Sequence, residues 1–315
     1  MRFVNGNIDL GDKPDWNYLS SNCILTEDFM DANVGMLPWD ILSSKQVMSI
    51  EFMLKHRDRI NWKMASANQY LPEEFAEHFP ELVSMPHFVV GQPLSEGFLA
   101  KNKDKFGWHD VSRYQCMSEE FISEMSEYVD WSSLSQAPLT ETFIDANIDR
   151  LEPGFISVYQ KLSKDFIKDH SKWLIPRLIA DYQCDLPDGY MPSSPSSWYG
   201  KDIEYKRSYM KFVRSFDMDG DYVIAYKACR LDGYSTYNFH YQYAVGSIYE
   251  STADHNADKL NSFGLSACTY DCALDYYPHR IVKVKIHLDD IAVVVPVSEL
   301  SPNYMIRCRK YKVLK

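Results

Sequence analysis

Trp108-His-Asp-Val-Ser-Arg-Tyr-Gln-Cys-Met-Ser-Glu-Glu-Phe-Ile-Ser-Glu-Met-Ser-Glu-Tyr-Val-Asp130 is one period of a rhythm that runs through the first half of the chain. Trp108 and Val111 stand three apart, and Met117, Phe121 and Ile122 keep helical spacing, which predicts two short helices. Ser118 before Glu119 and Glu120 is a helix start: the hydroxyl takes an orphan N–H and the carboxylates meet the positive end of the helix dipole. Outward from this stretch, the anchor recurs every 23 residues as Trp16, Trp39, Trp62, Met85, Trp108, Trp131 and Pro153, with one residue deleted inside the sixth unit. Thirteen residues after each anchor, twelve in the shortened unit, stand Phe29, Phe52, Phe75, Phe98, Phe121, Phe143 and Phe166. Seven of only 16 phenylalanines in register exclude chance composition.

Other columns complete the unit. Three residues past the anchor come Leu19, Leu42, Ala65, Phe88, Val111, Leu134 and Ile156, followed by Ser20, Ser43, Ser66, Ser112, Ser135 and Ser157. The serines read as points where helices approach closely. The start slot of the second helix holds Thr26, Ser49, Ser95, Thr140 and Ser163, with Pro72 as the departure. A last apolar column, Leu37, Ile60, Val83, Phe106, Val129, Leu151 and Leu174, closes each unit on the next. Tyr182-Gln183 repeats the phase of Tyr159-Gln160 and Tyr114-Gln115, a worn eighth unit acting as cap. Such self-similarity means stacked units sharing one core.

The expected fold is therefore α+β. Residues 1–185 form an N-terminal α-helical repeat solenoid of about seven helix pairs plus a degenerate cap, residues 186–220 a linker and lead-in, and residues 221–315 a small mixed α+β domain. The Pro/Gly/Ser-rich run from Leu186 to Ser197 marks the linker. Beyond it the period becomes alternating, predicting strands over 222–229, 241–245, 281–287, 291–295 and 306–313 and a helix over 269–277. The tryptophan and phenylalanine columns, including Trp16, Trp39, Trp62, Trp108 and Trp131, read as structural core rather than a ligand cage.

Charge is uneven. Residues 1–198 hold 30 Asp/Glu against 17 Lys/Arg, whereas residues 199–315 hold 14 against 16. An acidic array argues against direct nucleic-acid binding, which needs clustered Lys/Arg, and leaves two readings, solubility or a protein partner with a basic surface. The first ten residues turn polar at once and the longest apolar stretch, Ile291 to Val297, is short, so neither a signal peptide nor a membrane span is expected. Seven cysteines in no paired framework suit reduced thiols in a cytoplasm.

The array resembles repeat proteins of tailed bacteriophages and some large DNA viruses whose units read Trp-x-x-Ile-Ser and then Leu-Ser-Glu-x-Phe-Ile. The tail Asn261-Ser-Phe-Gly-Leu-Ser-Ala-Cys-Thr269 followed by Ala273-Leu-Asp-Tyr276 is similar to an uncharacterised domain that commonly ends such chains. The resemblance covers nearly the whole sequence and implies a viral origin and a modular build, not a reaction. The long surface of a solenoid suits a non-enzymatic protein-interaction scaffold in the host cytoplasm, and the phage-like resemblance adds the hypothesis that it inhibits a bacterial defence or nucleic-acid-handling protein, with a virion or assembly component as the rival role. Self-association is left open, since imperfect caps invite end-to-end pairing.

For chemistry, the second half resembles ADP-ribosyltransferase-like folds only in part: Arg230, Ser266 and Glu299 would be the catalytic set, but no Glu-x-Glu or Gln-x-Glu loop occurs and Glu299 sits at a turn. Cys268, Cys272 and His279 lack the second pair of ligands a zinc site needs. Asp217-Met-Asp-Gly-Asp221 opens like a calcium loop, but its glycine falls at the fourth place, so it reads as a turn before a strand. No metal and no cofactor are expected. The dense tyrosines from Tyr234 to Tyr277 read equally as a contact surface or as half-buried rings of a sheet.

Overall fold

The computed structural model describes residues 2–4, 14–183, 185–190, 201–213, 215–236, 239–276, 280–297 and 303–315. Its contacts fall into two units, residues 1–117 with 124–128, and residues 118–123 with 129–315.

In the first unit, strands β1 (Arg2–Val4) and β2 (Cys23–Leu25) pair in parallel. Anchor helices α1 (Trp16–Asn22), α3 (Trp39–Lys45), α5 (Trp62–Asn68), α7 (Met85–Gly91) and α9 (Trp108–Tyr114) alternate with α2 (Glu27–Ala32), α4 (Ile50–Lys55), α6 (Glu73–His78) and α8 (Glu96–Lys101). Each begins where the columns place it. Thr26, Ser49 and Ser95 accept from the backbone N–H of Phe29, Phe52 and Phe98 at 3.3, 3.1 and 3.2 Å, and Asp15 and Asn61 cap their anchor helices at 2.9 and 3.2 Å. Helices of six or seven residues are marginal alone, so packing holds them.

The phenylalanine column is buried throughout, together with the residue after each ring, from Met30 and Met53 to Ile144 and Ile167. The tryptophan column differs from the expectation of core. Trp108 is buried, but Trp16, Trp39, Trp62 and Trp131 are half-buried, each laying a face on the phenylalanine of its own unit, as Trp62 does on Phe75 at 5.7 Å. Trp39, Trp62 and Trp108 donate the indole N–H to the carbonyl five residues back at 2.9 to 3.0 Å, a bond compatible with a ring in the core or at its edge. In the closing column Val83 is half-buried and its neighbour Leu82 is the buried member.

The second unit contains nearly all of α10 (Glu119–Glu124), then α11 (Trp131–Leu134), α12 (Glu141–Ala146), α13 (Pro153–Tyr159), α14 (Lys164–Asp169) and α15 (Pro176–Tyr182). The eighth repeat is thus represented by α15, and Leu186 and Tyr190 pack against the apolar cluster of Ile156, Phe166 and Ile179. The segment read as linker and lead-in holds regular elements among its described residues. It includes α16 (Ile203–Val213) and β3 (Asp217–Asp219), and α16 buries Met210 in the core of the sheet that follows. Buried Lys206 reaches Asp289 at 2.9 Å and Arg207 reaches Asp221 at 3.0 Å, fixing the helix in place.

Among the described residues the sheet has eight strands, all antiparallel, ordered β5 (Ile248–Glu250), β10 (Lys310–Val313), β7 (Ile281–His287), β4 (Tyr222–Ala228), β6 (Leu265–Cys268), β9 (Tyr304–Cys308) and β8 (Ile291–Pro296), with β3 pairing β4 off this path. Strand β4 pairs with β7 along its length, Tyr222 with His287 through Ala228 with Ile281, but meets β6 only at Tyr226 with Cys268. Helix α17 (Tyr270–Tyr276) packs Cys272 and Ala273 against Ala228 and Cys268. The sheet docks on the last helices of its own unit. Tyr159 lies tilted against Phe263 at 4.8 Å and Tyr182 meets it edge-on at 5.4 Å, Thr252 donates to the Tyr159 carbonyl at 3.2 Å, and Glu250 pairs with Lys161 and, at 2.7 Å, with Lys310.

Candidate functional site

Two places can carry function: the faces of the helix pairs and a cavity in the sheet module. Within the helix pairs, buried polar side chains are engaged from unit to unit. Gln46, Gln69, Gln92, Gln115, Gln160 and Gln183 end the anchor helices and are all buried. Each accepts from a backbone N–H of the preceding unit and donates to two of its carbonyls: Gln69 takes Met48 N–H at 3.1 Å and gives to the Ser43 and Gln46 carbonyls at 3.0 and 2.6 Å. The serine column does more than allow close approach. Ser43 donates to the Trp39 carbonyl at 2.7 Å and accepts from Asn61 N–H at 3.0 Å, and Ser66, Ser135 and Ser157 repeat the pattern.

Part of the acidity is structural too. Glu27 accepts from the N–H and hydroxyl of Ser49 at 2.6 and 3.2 Å, Glu119 does the same for Thr140, and Glu73 and Glu141 for Ser95 and Ser163. Asp31 binds Lys55 and His56 at 2.5 and 2.6 Å, hydrogen bonds that hold its carboxyl below the usual carboxylate range. Glu77 pairs with Lys101 at 2.6 Å and Asp40 accepts from Asn61 at 2.7 Å.

The cavity, about 290 Å³, opens beside the single β4–β6 pair and is lined by Tyr226, Lys227, Ser266, Cys272 and Met305 among others. Lys227 Nζ lies 2.8 Å from Ser266 Oγ and 5.7 Å from the centre of the Tyr243 ring. Burial pulls the Lys227 ammonium below the ordinary lysine range, opposed by the nearby thiols of Cys268, Cys229 and Cys308. Cys268 and Cys272 share a hydrogen bond that, with burial, pushes the Cys268 thiol up, while the same bond lowers Cys272. Fully buried Arg307 forms the rear wall. Its Nη2 donates to the carbonyls of Asn256 and Lys259, the latter at 2.7 Å, and Nη1 stands 3.5 Å from Asp254, tying the 254–260 loop to β9.

Of the residues picked from sequence, Ser266 lines this cavity. Arg230 does not: it pairs with Asp232 at 3.2 Å and covers the Phe239 ring at 5.6 Å. Glu299 and His279 lie outside the described residues. Among the described residues no group of three or more His, Cys, Asp and Glu is placed to hold a metal. Asp217 to Asp219 is strand β3, Gly220 turns with φ of 62°, and Asp221 accepts from Arg207. The tyrosines divide: Tyr243 and Tyr311 are buried in a cluster with Tyr241 and Tyr249, whereas Tyr222, Tyr270 and Tyr276 are exposed. Lys227 was missed, although its signal is present: the alternation Val223, Ala225, Lys227, Cys229 puts a charge where the core face calls for an apolar residue. Compared with protein-family profiles, curated proteins and solved structures, the chain matches none. Among the described residues no helix is long and apolar enough to cross a membrane.

Proposed function

We propose that the helix pairs of residues 1–185 make up a helical-repeat solenoid that binds a protein, and that the chain is a viral protein acting in a host cytoplasm on a bacterial defence or nucleic-acid-handling factor. The observation that carries this reading is the glutamine ladder: from Gln46 to Gln183 the buried side-chain amides bond each helix pair to the one before it, so the array offers a partner its exposed faces. The carboxylates not engaged between units suit a partner with a basic surface, and the acid excess of residues 1–198, 30 Asp/Glu against 17 Lys/Arg, does not favour phosphate binding there.

The test is capture of partners by the full chain from bacterial lysate at low and high salt. Recovery of one basic host protein at low salt, released as salt rises, supports the proposal. Recovery of none at low salt, or of nucleic acid alone, removes it.

A further inference from the structure

The cavity beside β4 presents a pairing the scaffold does not need: a lysine nitrogen against a serine hydroxyl at 2.8 Å, in a pocket with a way in. Nucleophile and base within hydrogen-bond reach is the arrangement that activates a hydroxyl. Sheet stability does not call for it, because a lysine on the core face costs desolvation that an apolar residue would avoid. We propose that this cavity is an acyl-transfer site, with Ser266 Oγ as nucleophile and Lys227 as its general base, acting on esters or thioesters of short apolar acyl groups.

The substrate class follows from the walls. Tyr226, Leu260, Ala267 and Met305 offer apolar surface, and the volume of about 290 Å³ admits a short acyl chain. Arg307 is tied to the Asn256 and Lys259 carbonyls and to Asp254, so the amine of Lys227 is the basic group beside the hydroxyl. In the reaction Ser266 Oγ bonds to the acyl carbon while its proton passes to the Lys227 amine. The resulting ammonium faces the developing oxyanion, then returns the proton to the leaving oxygen or sulfur as the acyl bond to it breaks. Water repeats the sequence on the acyl-serine, with Lys227 taking its proton, and regenerates the hydroxyl. Burial supports this role, since it favours the neutral amine that can accept a proton. The groups facing that amine are the thiols of Cys229, Cys268 and Cys308 and the ring of Tyr243.

The experiment is labelling of the full chain with a fluorophosphonate and turnover of p-nitrophenyl butyrate, read by peptide mass mapping and by absorbance. One adduct at Ser266, absent in Ser266→Ala, is expected. Loss of the base should slow labelling roughly 100-fold or more in both Lys227→Met and Lys227→Arg, because a permanent guanidinium keeps the charge but takes no proton. Labelling of the unmodified chain should climb with pH and level off below the ordinary lysine range, a readout that needs no folded variant. An adduct elsewhere, Lys227→Arg as fast as the parent, or a rate indifferent to pH overturns the proposal. None of these readouts involves a protein partner, so its failure and that of the scaffold reading are separable.

Discussion

The helix pairs and the sheet module handle buried polar groups in opposite ways. In the pairs, one solution is written once and copied: a glutamine at the end of each anchor helix bonds a fixed distance back along the chain, and a serine bridges to the start of the next unit. In the module, each charge in or beside the core has its own answer, buried Lys206 with Asp289, buried Arg307 with the 254–260 loop, half-buried Lys227 with Ser266. Copying leaves no room for a special site, because a unit that departs breaks the bond to its neighbour. Two positions of the column lack the amide, Cys23 in the first unit and the position in the sixth. Ala137 stands in the glutamine column of the shortened sixth unit, and the boundary between the two contact units, 117 to 129, falls just before it.

This contrast can be broken in a graded series, read by urea unfolding of the full chain. The largest effect is expected from Phe75→Ala, which empties a column site only 4% exposed and should cost about 4 kcal/mol. Gln69→Leu keeps the volume but leaves the Met48 N–H and the carbonyls of Ser43 and Gln46 without their partner, a loss of about 3 kcal/mol. If Gln69→Leu proves neutral, the ladder is not what joins units. Gly91→Ala comes next: a Cβ there meets the Ala67 carbonyl oxygen at 2.4 Å, backbone that cannot step aside, for about 2 kcal/mol.

In the module the sign should reverse. Lys227→Met replaces a desolvated ammonium with a side chain of similar reach, so melting of the module should rise, by about 1 kcal/mol, while labelling is lost. With its folded pKa depressed, Lys227 binds a proton more readily in the unfolded chain, so module stability should increase as pH climbs from the folded value to the ordinary lysine value. A melting point that falls in Lys227→Met would make the lysine a structural strut. The smallest effect belongs to Glu250, held at about 2 by Lys161 and Lys310. Its contribution is present above the usual carboxylate value and fades as pH drops from about 4.5 toward 2; solvent screening keeps it below about 1 kcal/mol. Glu250→Gln should abolish that acid-dependent step between the last helices and the sheet.

Periodicity made the helix pairs legible down to the capping serines, because burial and capping are local consequences of spacing. The half-buried rim of tryptophans was not, since an indole that is apolar but must place its N–H can sit in the core or at its edge with the same spacing. Helix α16 was hidden by the Pro/Gly/Ser run before it, although Ile203, Met210 and Val213 mark its apolar face. The glutamines stood in register, yet their partners lie in the preceding unit, beyond the reach of any local rule.

What the sequence determined alone is the set of local choices: where helices begin, which face is apolar, where alternation replaces the helical period. Tertiary structure decided which polar groups meet. Lys227 and Ser266 are 39 residues apart, and only the parting of β4 from β6 after one ladder pair brings nitrogen and oxygen together. A hydrogen bond depends on distance in space, and pattern along a chain specifies that distance only where the pattern repeats.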